Sequence, residues 1–126
     1  MADKIKVVMV KPEEKAYITE IERGLETMQK IVGGYIQAWE PFRDEVAIVC
    51  NEEGKLQKLP PNRMVKGKDG EIVDIVCGTF FICYTPFESE TFESLPDEFA
   101  EKYLELFENP ELFIRTEKGI CVIPAE

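Results

Sequence analysis

The stretch EIVDIVCGTFFICY, residues 71–84, limits most strongly what this chain can fold into. It is rich in β-branched and aromatic residues, which favour strands over helices. A single glycine, Gly78, interrupts the run near its middle. We therefore predict one long strand at the centre of a sheet, with a bulge or bend at Gly78.

Shorter strand-like segments lie on both sides of this stretch and are bounded by turn-forming residues. KLQKL is predicted to return antiparallel from VAIVC through a turn at Gly54, and Pro60 and Pro61 are predicted to end its pairing. LFIRT and ICVIP are predicted to form a hairpin. In chain order, the predicted strands are KIKVVMVK, KAYITEIE, YIQAW, VAIVC, KLQKL, residues 71–84, LFIRT and ICVIP.

Two segments carry helical signals instead. In LETMQKIV, apolar residues recur at intervals of three and four, and Gly33 suits the left-handed conformation beyond a helix end. In SLPDEFAEKYLELFENP, Ser94 is the predicted cap and Pro96 is placed in the first turn. The inward stripe of this second helix is predicted to be Phe99, Tyr103, Leu106 and Phe107.

The length of 126 residues is that of one ordinary domain, and no linker, internal repeat or low-complexity segment divides it. The predicted order of elements is ββαββββαββ, which is an α+β pattern. We predict that residues 1–126 form a single α+β domain, a mainly antiparallel sheet with two helices packed on it.

The chain contains no histidine, so the commonest general base and metal ligand is missing. With no recognisable catalytic motif, we expect a non-catalytic protein without metal or cofactor. Buried free thiols are predicted for Cys50, Cys77, Cys83 and Cys121, which stand in apolar runs without C-x-x-C spacing. No stretch approaches the roughly 20 apolar residues that span a bilayer, and no secretory signal pattern is present, so we expect a cytoplasmic protein.

The net charge of −10 is unevenly distributed along the chain. It disfavours general binding to nucleic acids or anionic membranes, which would be repelled. Residues 55–68, in contrast, hold five basic side chains and no acid. Within them, Arg63 offers a planar fork suited to phosphate or carboxylate, and Asn62 and Lys55 add further donors. The alternative is that the lysines only balance neighbouring acids as solvated ion pairs.

Three other features allow both a functional and a structural interpretation. Gly33 and Gly34 leave backbone amides open to a ligand that Tyr35 could stack on, or they simply end a helix. A bulge at Gly78 and Thr79 either turns a side chain toward a binding site or curves the sheet. The acidic residues of the second helix form a solvated face, or they imitate nucleic-acid phosphates for a basic partner. These residues are Glu98, Glu101, Glu105 and Glu108.

The segments LETMQKIVGGYI, VCNEEGKLQKLPPNR and GTFFI, in this order and spacing, resemble a family of small uncharacterised domains, the domain-of-unknown-function 3846 family. The resemblance covers residues 4–84 well and the C-terminal helix more loosely. The family occurs in bacteriophages, plasmids and conjugative elements of Gram-positive bacteria. The resemblance therefore implies the genetic context of this protein but no chemical activity. The motif positions implied by the resemblance are Gly33, Gly34, Tyr35, Asn51, Gly54, Leu59, Pro60, Asn62, Arg63, Gly78 and Thr79.

Small acidic phage proteins often counter host defences, and this context suggests two hypotheses. The first is a protein that sequesters an anionic small molecule, a linear or cyclic nucleotide immune signal, enclosed by a homodimer or larger oligomer. In it, Arg63, Asn62 and Lys55 hold the phosphate and Tyr35 the base. The remaining ligand-binding candidates are Gly33, Gly34, Asn51 and Thr79.

The second hypothesis is an acidic protein-interaction module that binds a host defence protein or a nucleic-acid-binding protein through residues 85–126. A third is an enzyme that uses aspartate and lysine chemistry on a nucleotide. A structural alternative also explains the central motif: Asn62 caps a turn and Arg63 ties two loops together.

Overall fold

Nine strands and two helices make up residues 3–124, the part of the chain that the computed structural model describes. Their arrangement confirms the predicted α+β class. In chain order, they are β1 (Lys4–Val10), β2 (Tyr17–Glu22), α1 (Leu25–Val32), β3 (Ile36–Trp39), β4 (Val46–Asn51), β5 (Pro61–Lys66), β6 (Ile72–Cys77), β7 (Phe80–Tyr84), α2 (Asp97–Leu106), β8 (Glu111–Thr116) and β9 (Gly119–Pro124).

The largest sheet has five strands in the order β2-β1-β7-β4-β3, and every neighbouring pair is antiparallel. Its central strand is β7, in which Phe80, Phe81, Ile82 and Cys83 are fully buried. Strands β5 and β6 form a second, two-stranded sheet, and β8 and β9 form a third. The prediction of a central strand is therefore confirmed for the second half of residues 71–84.

Each face of the five-stranded sheet carries its own hydrophobic cluster, because side chains alternate along a strand. On one face, Met28 and Val32 of α1 belong to a cluster with Phe81 of β7. On the other, Tyr103 of α2 and Val65 of β5 belong to a cluster with residues such as Phe80, Ile82 and Leu95. The sheet is thus the middle layer, with α1 on one side and α2 and the β5–β6 hairpin on the other.

Gly78 separates two strands instead of forming a bulge within one. Its φ of 88° lies in the left-handed region, which glycine adopts without strain. Its N–H donates to Pro60 O over 2.8 Å, which turns the chain between sheets. Strand β6 consequently pairs with β5, while β7 enters the central sheet. The prediction of one continuous strand was wrong at this point.

The segment KLQKL, predicted to be a strand, lies in a series of turns. The Gln57 N–H donates to Glu53 O over 2.8 Å, and Lys58 has a left-handed φ of 57°. A strand begins instead at Pro61, inside the basic segment that was predicted to be a loop. The first residue of a strand is a position that proline tolerates, so the prolines precede a ladder here and do not end one.

The helix ends agree only partly with the prediction. Gly33 ends α1 as predicted, with a φ of 81° and its N–H donating to Gln29 O over 2.8 Å. Pro96, not Ser94, is the N-cap of α2, since the helix begins at Asp97. Ser94 Oγ instead accepts a hydrogen bond from the Lys6 backbone N–H over 2.9 Å. Leu106 lies outside the predicted inward stripe, since 57% of its surface is exposed.

The cysteines also differ from one another. All four are free, but Cys77 is only partly buried and Cys121 is exposed, so the predicted burial was wrong for these two. Burial raises the pKa of the Cys50 thiol to about 11 and that of Cys83 to about 12. The predicted β8–β9 hairpin is confirmed. Within residues 3–124, no helix is long and apolar enough to cross a membrane.

Candidate functional site

Arg63, the centre of the predicted anion site, is fully buried between β5, the β1–β2 turn and the end of α2. Its Nε and Nη2 donate to Phe107 O over 3.2 and 3.1 Å, and Nη2 also donates to Glu14 O over 2.6 Å. Its Nη1 donates to Asn62 O and Asn62 Oδ1 over 3.2 and 2.8 Å. All five N–H groups of the guanidinium therefore have protein acceptors.

The hydrogen-bond acceptors around this guanidinium are neutral. Backbone and amide oxygens accept its hydrogen bonds, and no carboxylate within residues 3–124 forms an ion pair with it. Burial lowers the pKa of Arg63, and the charge of nearby Glu111 opposes that shift. The arrangement ties loops together, as the structural alternative for this motif expected.

Asn62 is also buried, and the polar atoms of its side chain form hydrogen bonds within the protein. Its Nδ2 donates to Val10 O and to Gly78 O, each over 2.9 Å, and its Oδ1 accepts from Arg63. The side chain thereby joins the end of β1 to the junction between β6 and β7. Thr79, which follows that junction, is partly buried.

Asn51 organises a second group of predicted site residues at the end of β4. Its Nδ2 donates to Val32 O and Gln57 Oε1 over 3.2 and 3.1 Å, and its Oδ1 accepts the Glu53 N–H over 2.7 Å. It packs so closely on Gly34 that a Cβ there would lie 2.8 Å from Asn51 Nδ2. Asn51 holds the end of α1 against the turns of residues 52–58.

The amides of the paired glycines, predicted to be open to a ligand, are engaged within the protein. The N–H groups of Gly33 and Gly34 both donate to Gln29 O, over 2.8 and 3.0 Å. Tyr35 is 68% exposed, and its carbonyl accepts the Glu52 N–H over 2.8 Å. The structure thus brings Asn51 and Gly34 together, and Asn62 and Arg63 together, but as two clusters with no direct hydrogen bond between them.

A cleft of about 230 Å³ lies between the turns of residues 52–58, strand β6 and the edge formed by β3 and β4. Trp39 and Gln37 of β3 line it together with Lys55 and Asp74, which form an ion pair. Glu52 and Glu53 also line the cleft, so carboxylates outnumber its single ammonium group. Sequence reasoning missed Trp39 and Asp74; the available signal was that Trp39 is the only tryptophan of the chain.

A stripe of unpaired carboxylates runs along α2. Glu98, Glu101 and Glu105 are exposed and, at spacings of three and four, lie on one helix face. None of them has an ion-pair partner among residues 3–124. Glu108, also exposed, follows the helix.

Lys102, the only basic residue of α2, does not neutralise the charge of this stripe, because it forms an ion pair with Asp44. Lys102 Nζ and the Tyr103 hydroxyl both donate to Asp44 Oδ2, over 2.6 and 2.8 Å. The hydrogen bond from Lys102 lowers the pKa of Asp44, although burial opposes the shift. Burial, together with Asp44, raises the pKa of Tyr103.

The loop of residues 85–92 carries two further exposed carboxylates. Phe87 is 92% exposed, and the Thr85 N–H donates to Glu45 O over 2.8 Å, next to Asp44. Glu88 and Glu90 of this loop are exposed. We define the acidic surface as Glu98, Glu101, Glu105 and Glu108; Glu90 instead lines a cleft with Leu25 and Met28 of α1, on the opposite side of the sheet.

The fold defines a class: a small α+β domain whose antiparallel sheet lies between α1 on one face and α2 with the β5–β6 hairpin on the other. No group of side chains suited to hold a metal ion occurs among the described residues. The chain belongs to the family described as a domain of unknown function, DUF3846, which matches residues 5–108. This confirms the family that the sequence motifs indicated.

No curated protein and no solved structure matches the chain. The family match ends before the β8–β9 hairpin, which begins at Glu111.

Proposed function

We propose that this protein is a non-catalytic accessory protein of a phage or mobile element, whose acidic surface binds a basic host protein involved in defence or nucleic-acid binding. One observation carries the proposal: the carboxylates of the acidic surface have no cationic partner among residues 3–124. Arg63 and Asn62, which were predicted to hold an anion, in contrast donate their hydrogen bonds within the fold.

The geometry of the acidic surface suits a protein partner. Residues 85–110 contain eight acids and one base, and that base is paired with Asp44. From Glu98 to Glu105 the stripe is about 10 Å long, since an α-helix rises about 1.5 Å per residue. Such a field speeds association with a basic surface.

The test compares two triple variants that remove equal charge. In the first, Glu98→Gln, Glu101→Gln and Glu105→Gln neutralise the stripe; in the control, Glu13→Gln, Glu20→Gln and Glu22→Gln neutralise exposed carboxylates elsewhere. A basic protein captured from host lysate by the wild-type chain is purified and its affinity is measured at several salt concentrations. We expect the stripe variant to bind at least about tenfold more weakly, the equivalent of about 1.4 kcal/mol, and the control to bind as the wild type does.

Two results would contradict this proposal. Equal weakening by both triple variants would mean that only the net charge matters. Full binding by the stripe variant would place the interface elsewhere on the protein.

A second candidate function, the sequestration of a nucleotide signal, is favoured by the cleft beside Trp39. Its volume of about 230 Å³ lies below the range of about 300–1,000 Å³ that is usual for small-molecule sites. Lys55 is the cation available to a phosphate once Asp74 releases it. Tyr35 is exposed and free to stack on a ring.

Linear and cyclic nucleotides are mixed with the protein, unbound material is removed, and the heat-released ligand is identified by mass spectrometry. Retention of an intact nucleotide that Lys55→Met abolishes and Lys58→Met preserves would establish sequestration in the cleft. An altered product would indicate an enzyme, and no retention would rule out sequestration of the nucleotides tested.

A further inference from the structure

The cleft beside Trp39 has an aromatic wall that is held in place. Trp39 and Gln37 lie on the same face of β3, because side chains alternate along a strand. Trp39 is partly buried, and it packs against the hydrophobic cluster that contains Val76 of β6. Its side chain also lines the cleft. An indole surface is therefore available there at a fixed position.

Two carboxylates that line the cleft carry unneutralised charge. Glu52 and Glu53 are exposed, and neither forms an ion pair within the described part of the chain, residues 3–124. Their backbone is nevertheless anchored. The Glu52 N–H donates to Tyr35 O over 2.8 Å, and the Glu53 N–H donates to Asn51 Oδ1 over 2.7 Å. An anchored turn thus holds both side chains beside the cleft.

The other two charges of the cleft neutralise each other. Lys55 Nζ donates to Asp74 Oδ1, which also accepts the Ile75 N–H over 2.8 Å. Glu52 and Glu53 therefore leave the cleft with a net negative charge, in a chain whose own net charge is −10. The local and the overall charge both attract a cation and repel an anion.

The volume of the cleft, about 230 Å³, limits the size of its ligand. Small-molecule sites usually measure about 300–1,000 Å³, so this cleft suits a single side chain better than a whole nucleotide. A guanidinium matches both parts of the cleft, because it stacks on aromatic faces and its planar fork pairs with carboxylates. An ammonium group has neither the flat face nor the fork.

We propose that the cleft beside Trp39 binds an arginine side chain of another polypeptide. The guanidinium stacks on the indole, and its N–H groups donate to the carboxylates of Glu52 and Glu53. The cleft shares no residue with the acidic surface, so this site goes beyond the proposed function and is tested independently of it. The nucleotide of the second candidate function would occupy the same cleft, so the two ligands compete.

The test follows the indole N–H resonance of Trp39 in heteronuclear NMR spectra of the full-length chain. Trp39 is the only tryptophan, so this resonance is unique and reports on the cleft itself. The probe is the blocked tripeptide acetyl-Gly-Arg-Gly-amide. In one control peptide citrulline, which has a similar shape but no charge, replaces arginine, and in another lysine replaces it. We expect a saturable shift with the arginine peptide, weaker binding of the lysine peptide and no shift with the citrulline peptide.

Two double variants that remove equal charge locate the binding. Glu52→Gln with Glu53→Gln should raise the dissociation constant of the arginine peptide at least about threefold, because two attracting charges are lost. Glu98→Gln with Glu101→Gln, on the acidic surface, should leave it within about twofold of the wild type, because solvent and salt screen distant charges. Equal weakening by both double variants would mean that the net charge attracts the peptide, and it would overturn the proposal.

A third variant, Lys55→Met, distinguishes arginine from a nucleotide. It removes the ammonium group and frees Asp74, so the arginine peptide should bind about threefold more tightly, whereas a nucleotide held by Lys55 would be lost. Lys58→Met is the control, since Lys58 is exposed and does not line the cleft.

Three results with the wild-type chain would also overturn the proposal. The first is no shift with the arginine peptide, and the second is an equal shift with the citrulline peptide. The third is a shift with adenosine monophosphate that exceeds the shift with the arginine peptide, which would assign the cleft to a nucleotide.

Discussion

At the scale of single residues, the sequence marked important positions without revealing how they act. Asn62 and Arg63 stand between prolines and apolar residues, a context that fits a ligand contact and a structural tie equally well. The structure shows a structural tie, because the hydrogen-bond partners of Arg63 are distant in the sequence. Arg63 donates to the carbonyl of Phe107, 44 positions away in the chain. No local pattern predicts such a contact.

Replacing Arg63 by methionine should greatly destabilise the fold. Methionine fills much of the volume but leaves Phe107 O, Glu14 O and the Asn62 oxygens without their donors in a buried region. We expect the free energy of unfolding to fall by about 3 kcal/mol or more, measured by urea denaturation. Arg43→Met, at an exposed position, should change it by less than about 0.5 kcal/mol. Equal stability of the two variants would contradict the structural role of Arg63.

The carboxylate of Asp44 should make stability depend on pH on the acid side. Its pKa is lowered in the folded state, so its contribution is present above its ordinary pKa of 3.8 and is lost as pH falls through the folded pKa. At neutral pH, Asp44→Asn should cost about 1 kcal/mol, or about 4 °C in Tm, discounted for partial exposure. The two melting temperatures should converge below pH 3.8. A difference that is independent of pH would contradict this linkage.

At the scale of elements, local patterns predicted the existence of most strands and both helices but not how the strands divide between sheets. Continuous β-propensity in residues 71–84 predicted one strand, whereas the left-handed Gly78 redirects the chain. Gly54 and the left-handed Lys58 wind KLQKL into turns despite its alternating pattern. The sheet that β6 joins depends on long-range packing, which periodicity does not encode.

The turns of residues 52–58 depend on the close approach of Gly54 to β6. A Cβ at Gly54 would lie 2.7 Å from Cys77 O, a backbone atom that cannot move aside cheaply. We expect Gly54→Ser to lower the free energy of unfolding by about 2 kcal/mol in urea denaturation.

The same substitution at Gly24 is the control for this prediction. Gly24 is the N-cap of α1, has extended backbone angles and has open space around its Cβ position. Serine there caps the helix and should raise stability by about 0.5 kcal/mol. A destabilisation of similar size at both sites would show that contact with β6 is not the cause.

At the scale of the whole molecule, charge and apolar surface are segregated. The acidic surface lies on and just after α2, while the β8–β9 hairpin is neutral and has exposed apolar side chains. Composition alone predicted the acidity of the C-terminal part; that this part is an interaction surface stays a prediction. It did not predict that the cleft beside Trp39 is lined by more carboxylates than ammonium groups, because that requires β3, β6 and the turns to converge.

Unbalanced negative charge should make the folded state sensitive to salt. A net charge of −10 on a small domain disfavours the compact state through repulsion, which salt screens over a Debye length of about 10 Å at 0.1 M. We expect the Tm to rise by roughly 4 °C, the equivalent of about 1 kcal/mol, between low and physiological ionic strength. At low salt, Glu101→Gln with Glu105→Gln should raise the Tm, and Lys15→Gln should lower it. Both differences should shrink at high salt, because both arise from the same repulsion. A Tm that falls as salt is added would instead mean that ion pairs such as Arg23 with Glu93 outweigh that repulsion.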